Sequence, residues 1–241
     1  MKRIISISMM LVMALFSNSL FAQEVDEIVN NHIKAIGGAE NWKKVNSMTS
    51  ELEMKQGGVI IKVTVNQLQN KGVRVDYSVM GQSGYEIMTD KAGWNFSPFE
   101  GQTKPEPVTA DDVKSSQDDL DIMDKFITYK ELGKKIEYLG KDDVEGTECH
   151  KITLTDKEGK VSTYYIDASN FHIIKEVAKR KANGKERETT VTFSNYKQLE
   201  EGIVVAMSQG GDMGDMETKS VAINKIKDAS IFEPKALSEM K

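Results

Sequence analysis

Apolar and polar residues alternate with a period of two through most of this chain. The segment "VIIKVTVNQ" places Val59, Ile61 and Val63 on one side of an extended strand and Ile60 and Lys62 on the other. Because neighbouring side chains of a strand point to opposite faces, this pattern predicts a half-buried β-strand. A chain built mainly of such segments must form a sheet and bury one of its faces.

Twelve segments show this alternation, five before the region around residues 97–132 and seven after it. Short turn sequences separate them, such as Gly57-Gly58, Asn70-Lys71-Gly72 and Asn183-Gly184. Strand follows strand without a βαβ rhythm, which predicts a mainly β protein with one antiparallel meander. A single sheet of this size must curl to hide its apolar face. No repeat or interdomain linker divides the segments, so we expect one domain over residues 23–241.

Two stretches of the chain depart from the strand pattern. Residues Glu24 to Ile36 carry apolar side chains at helical spacing, and Gly37-Gly38 supplies a stop, which predicts an amphipathic helix. Residues 109–132 form an insert that follows a proline-containing stretch. The insert has one apolar stripe at helical spacing, formed by Val113, Leu120, Met123, Phe126 and Ile127. We expect a helix there that either plugs the hollow of the curled sheet or covers it as a lid.

The first 22 residues have the layout of a secretory signal peptide. Lys2 and Arg3 precede an apolar run from Ile4 to Phe16, and the small residue Ala22 follows. The run is shorter than the roughly 20 residues that a bilayer core requires. We therefore expect cleavage after residue 22 and a soluble periplasmic protein. The net charge of −5 argues against nucleic acid as a partner.

Residues that could perform catalysis or hold a metal are scattered. His32, His150 and His172 are isolated, and the adjacent Cys149 and His150 point to opposite faces of a strand. The acidic run Asp118 to Asp121 lacks the loop glycine and the bidentate acid of a calcium-binding EF-hand. We expect a protein that is not an enzyme and has no catalytic residues, no metal and no cofactor.

Several stretches of the chain together resemble a known family. An export signal, a helix ending in Gly-Gly, "VRVDYSVM", "MTDKAGWNFSPFEGQ", a helical insert and "ECHKITLTDKEGKVSTYYIDASNFHIIKEV" occur in this order. The order resembles the LolA-like family of periplasmic carriers that sort lipoproteins to the outer membrane. Positions matching the family pattern are Trp94, Phe96, Pro98, Phe99, Thr163, Tyr165, Ile166, Asp167 and Lys175.

The resemblance implies a fold and a set of partners. The fold would be an incomplete β-barrel closed by an N-terminal helix and a central helical lid, with acyl chains bound inside. The partners would be an acylated lipoprotein or lipid, an inner-membrane release complex and an outer-membrane acceptor, and we expect a monomer. By resemblance, Lys71 or the nearby Arg74 would latch the lid, although no proline follows Lys71 as in the family.

The main hypothesis is a non-enzymatic carrier whose apolar hollow binds acyl chains. Candidate lining residues of the sheet are Leu52, Met54, Ile61, Val63, Val75, Tyr77, Met88, Trp94 and Phe96, and those of the lid are Ile122, Met123 and Phe126. The alternative is a structural or interaction protein of the same fold that carries no lipid and whose insert is fixed core. A third hypothesis, an exported hydrolase, requires a nucleophile and a base that the sequence does not bring together.

Overall fold

The computed structural model describes residues 24–182, 185–212 and 214–235. The predicted signal peptide, residues 1–22, lies outside these ranges. Within them, none of the helices has the length and apolar character needed to cross a bilayer. Strands dominate the described chain: β1 (Ser47–Gln56), β2 (Val59–Leu68), β3 (Gly72–Val79), β4 (Gln82–Thr89), β5 (Gly93–Phe96), β6 (Glu106–Pro107), β7 (Lys135–Val144), β8 (Thr147–Thr155), β9 (Val161–Asp167), β10 (Ile173–Ala182), β11 (Lys185–Gln198), β12 (Val204–Gly211) and β13 (Asp215–Ile223).

The strands form one 13-stranded sheet in the order β6-β5-β4-β3-β2-β1-β13-β12-β11-β10-β9-β8-β7. Every neighbouring pair whose register is resolved is antiparallel, and β6 and β7 are the two edges, so the sheet is not closed. The mainly β antiparallel fold is confirmed, with five strands before the insert region and seven after it. The sequence did not predict β6. This strand has only two residues, too few to show alternation, and Pro107 is tolerated because β6 is an edge strand.

The chain divides into two compact units, which we describe separately. The first unit consists of the described parts of Met1–Gly38 and Phe126–Phe193, and the second of those of Ala39–Lys125 and Ser194–Lys241. The single domain over residues 23–241 stays a prediction.

The first unit begins with α1, residues 24–35, which ends where Gly37 and Gly38 adopt positive φ angles. The Gly38 amide donates to the Ile33 carbonyl at 2.8 Å, a bond that closes the last turn. The predicted helix and its stop are thus confirmed. Side chains from α1, from the segment around Phe126 and from the strands β8 to β10 form one core: Ile28, Val29, Phe126, Tyr129, Ile152, Leu154, Tyr164, Ile166 and Ile173.

The second unit contains the hairpins of β1 to β5, together with β12, β13 and the short helix α2 (Ala39–Trp42). Gly57 and Gly58 connect β1 to β2, both with positive φ (56° and 80°), as the tight turn of a hairpin requires. Trp42 is buried. A short 3-10 helix, Ala229–Phe232, follows β13.

The insert is helical, but the prediction of one helix over residues 109–132 is wrong. It forms α3 (Ala110–Ser115), a 3-10 turn (Gln117–Leu120) and α4 (Lys125–Thr128). Thr109 caps α3, since its hydroxyl accepts from the Asp112 amide. The chain becomes extended at Asp121, whose carboxylate accepts from the Met123 amide at 3.0 Å. Aspartate side chains compete in this way for backbone donors, and the helix is interrupted.

Candidate functional site

Seven of the nine candidate lining residues from the sheet lie on one face of the second unit. In an antiparallel sheet, residues directly opposite each other on neighbouring strands point to the same side. Leu52 is opposite Val63, Val63 is opposite Tyr77, and Tyr77 is opposite Gly84. The same register places the other members beside this row, and we call the resulting surface the apolar face. The seven predicted members are Leu52, Met54, Ile61, Val63, Val75, Tyr77 and Met88.

The apolar face continues onto β13, where sequence reasoning did not extend it. Met216 is opposite Met54, and Ile223 is opposite Met48. The alternation of β13 and its pairing with β1 could have revealed both residues, had the strand order been known. Met48 and Ile223 are buried, whereas Met54 and Met216 are only half-buried.

Burial over the apolar face is incomplete. Leu52 and Val63 are buried, but Val65, Val75 and Val79 remain half-buried. A packed core leaves few such side chains partly exposed, because burying apolar area stabilises a protein by about 25 cal/mol per Å². The face therefore has apolar area available to a further partner.

Tyr77 lies on the apolar face and contacts residues of β4 and β5. Its ring occupies the space beside Gly84, where a Cβ atom would come within 2.7 Å of the ring. The phenol donates to the Phe96 carbonyl at 3.2 Å, and the ring stacks on Phe99. Burial raises the pKa of the Tyr77 phenol above its ordinary value, which already lies well above neutral pH.

Trp94 and Phe96 lie on the opposite face, which corrects their predicted place in the lining. Trp94 is opposite Ile87, and Phe96 is opposite Tyr85. Both belong to a compact cluster with Tyr85, Ile87 and Phe232, in which Phe96 is fully buried. Both faces of β4 carry apolar residues, so only the register of β4 with β5 decides which set the two aromatic residues join.

Arg74, a predicted latch residue, holds the carboxy-terminal segment of the second unit. Its guanidinium donates to the Asp76 carboxylate at 2.7 and 2.9 Å and to the Ile231 carbonyl at 2.9 Å, and it stacks over the Tyr85 ring. The Tyr85 phenol in turn donates to the Lys235 carbonyl. The structure thus places Arg74 on the face opposite the apolar one.

Within the second unit, residues 120–122 of the insert bond to the turn that contains the other latch candidate, Lys71. Lys71 itself is exposed, but the Asn70 amide donates to the Leu120 carbonyl at 2.9 Å. The Gln69 side chain makes two further bonds. Its Nε2 donates to Asp121 Oδ1, and its Oε1 accepts from the Ile122 amide, both at 2.7 Å. Sequence reasoning missed Gln69, because no local pattern marks a glutamine that binds a segment 52 residues away.

The three predicted lid residues have different surroundings. Ile122 is buried and Met123 is half-buried, both in the second unit. Phe126 instead belongs to the core of the first unit, where its ring meets His32 at 5.4 Å and Tyr164 at 5.1 Å in edge-to-face contacts. The structure does not group Phe126 with the other lining candidates.

Burial shifts the pKa values of two titratable side chains of the first unit. Cys149 is fully buried, and burial raises the pKa of its thiol to about 11. Burial also lowers the pKa of His150, whose Nδ1 lies 3.2 Å from the Tyr138 hydroxyl. Among the described residues, no three His, Cys, Asp or Glu side chains are grouped as metal ligands.

Comparison with solved structures places this arrangement among known folds. A protein from Vibrio parahaemolyticus described as an outer membrane lipoprotein-sorting protein domain has a TM-score of 0.50 and 14% identity, with 86% of this chain and 95% of that chain covered. A LolA superfamily protein from Nitrosomonas europaea has a TM-score of 0.50 and 10% identity, with coverage of 80% and 94%. This chain has the LolA-like fold.

A third similar structure widens the range of this fold. A DUF1329 family protein from Desulfovibrio piger has a TM-score of 0.53 and 12% identity, with 87% of this chain and 97% of that chain covered. No family model matches this chain, and a search of curated proteins finds no match. At such low identities the structural likeness shows the fold alone.

Proposed function

We propose that this protein is a non-enzymatic carrier that binds the acyl chains of lipoproteins or lipids on the apolar face of the second unit. The observation that carries the proposal is the half-buried state of aliphatic and methionine side chains across β1, β2, β3 and β13. The predicted lining residues Met54, Ile61 and Val75 are among them.

The chemistry of the apolar face suits flexible hydrocarbon. Each methylene group that leaves water contributes about 0.8 kcal/mol, so a long acyl chain gains affinity without any polar contact. Methionine side chains are unbranched and adapt to irregular shapes, and the face carries Met48, Met54, Met88 and Met216.

The fold and the sequence support a place for this carrier in the cell envelope. One protein with this fold is described as lipoprotein-sorting, and residues 1–22 have the layout of an export signal. We extend the proposal to a periplasmic monomer that receives cargo from an inner-membrane release complex and delivers it to an outer-membrane acceptor. Ile122 and Met123 would border the cargo.

The direct test is native mass spectrometry of protein purified gently from the periplasm, with lipid extraction of the same sample. We expect bound acylated species in the wild-type protein and their loss in Val75→Asp, because an ionised carboxylate on the apolar face must be desolvated by the cargo. The matched control is Ser78→Asp, which places the same charge on the other face of β3, opposite Lys62. A wild-type protein without lipid that also takes up no added acylated peptide would refute the carrier.

The competing function is a structural or interaction protein with the same fold. This alternative is favoured by the contacts of the insert: Leu120 and Ile122 are buried, and the Gln69 side chain accepts a hydrogen bond from the Ile122 amide. In that case the insert is part of a permanent core, and both Val75→Asp and the wild type would be free of lipid.

A further inference from the structure

One row across the second unit changes from apolar to polar. Residues directly opposite one another on β2, β3, β4, β5 and β6 are Val65, Val75, Glu86, Asn95 and Glu106. All five point to the apolar face, because opposite residues share a face. An acyl chain lying along Val65 and Val75 therefore ends near a polar group at the edge of the sheet.

Asn95, at the centre of the polar half of the row, has an unsatisfied acceptor. Its side-chain oxygen Oδ1 is buried and accepts no hydrogen bond from any residue that the structure describes. A buried acceptor without a partner is unfavourable, and most such atoms in proteins are bonded to protein, water or ligand. The neighbouring Gln102 does not satisfy it. Its amide nitrogen donates to Glu106 and its oxygen accepts from the Ser97 amide.

Two carboxylates flank Asn95 on the neighbouring strands, and both are exposed. Glu86 lies opposite Asn95 on β4 and Glu106 lies opposite it on β6. Neither carboxylate forms an ion pair within the described residues. At low ionic strength this end of the row therefore disfavours an anion, and its acceptor oxygens suit a group that donates hydrogen bonds.

We infer that Asn95 accepts a hydrogen bond from the polar end of the bound acyl ligand, and that the preferred cargo carries an uncharged or cationic N–H or O–H donor beside its acyl chain. An amide-linked acyl chain fits this description, whereas a fatty-acid carboxylate does not. The inference rests on the proposed acyl-binding function and specifies its ligand class.

The test compares dodecanamide with methyl dodecanoate, which share the acyl chain and the carbonyl but differ in N–H donors. The protein without residues 1–22 is first loaded with N-phenyl-1-naphthylamine, a fluorescent apolar probe. Each ligand is then added in increasing concentration, and the loss of probe fluorescence measures its affinity. We expect the wild type to prefer the amide at least about fivefold, the size of one hydrogen bond to a buried acceptor. In Asn95→Leu this preference falls towards one, while the control Ser83→Leu, on the other face of β4, retains it.

A second variant and a stability measurement keep the test independent of folding. Glu86→Gln should strengthen binding of dodecanoate relative to the amide, because one repelling charge is removed. Asn95→Leu should unfold at the same temperature as the wild type or higher, because it removes an unsatisfied acceptor without changing the side-chain size much. A lower unfolding temperature would show that the amide already has its partners, and would overturn the inference.

The possible failures are distinguishable. Equal binding of amide and ester by the wild type, or an amide preference that persists in Asn95→Leu, overturns the role of Asn95 and leaves the carrier function intact. If neither ligand displaces the probe from the wild type, the proposed acyl-binding function itself fails.

Discussion

The two units of this protein bury their apolar sheet faces to different degrees. In the first unit, Ile152 and Ile166 are 0% exposed and Phe126 is 1% exposed, within the core that also contains α1. In the second unit, Val75 and Met54 on the apolar face remain half-buried. Both faces come from strands with similar alternation. The difference shows that alternation determines which residues share a face, whereas the elements that pack on the face determine how much of it stays available.

The largest expected effect comes from breaking the covered core. Phe126→Ala should destabilise the protein by about 3–5 kcal/mol, because it removes a fully buried ring and leaves a cavity beside His32 and Tyr164. Val75→Ala, on the apolar face, should cost about 1 kcal/mol or less, since its side chain is already partly exposed. Urea denaturation of both variants measures the contrast. Equal losses would mean that the apolar face is packed as tightly as the core of the first unit.

A smaller effect is expected at the attachment of the insert. Gln69→Ala removes the hydrogen bonds to Asp121 and to the Ile122 amide. The attachment of this part of the insert to the β2–β3 turn should weaken by about 1–3 kcal/mol. Hydrogen exchange at the Ile122 amide should accelerate accordingly. Lys71→Ala, two residues along the same turn, is the matched control and should leave this exchange rate unchanged, because Lys71 is exposed. Faster exchange in the control instead would identify Lys71 as the latch.

The smallest expected effect concerns methionine oxidation in the second unit. Met80, at 84% exposure, should be oxidised by hydrogen peroxide first, half-buried Met54 and Met216 next, and buried Met207 last. Bound methyl dodecanoate should slow the oxidation of Met54 and Met216 severalfold and leave the oxidation rate of Met80 unchanged. Peptide mass spectrometry measures these rates. Protection that falls on Met80 alone would place the ligand at the β3–β4 turn rather than on the apolar face.

The sequence predicted the main elements and most of the apolar face. Alternation identified every strand except the two-residue β6, and helical spacing before Gly37-Gly38 identified α1. Met54, Ile61 and Val75 share one face because each belongs to a long alternating strand, and their contact with lipid stays a prediction. The aromatic pair Trp94 and Phe96 was misplaced, because four-residue β5 has apolar residues whose face depends on its pairing with β4.

What the sequence by itself determined is local: which residues form strands, where the first helix ends, and which side chains alternate together. Those properties follow from backbone geometry and the spacing of apolar residues over a few positions. Only the tertiary structure decided that Gln69 bonds to the insert, that Arg74 binds the carboxy-terminal segment, and that Asn95 lies on the apolar face with its side-chain oxygen buried and not bonded to any described residue. Each of these depends on contacts between segments far apart in the chain, whose register no local pattern specifies.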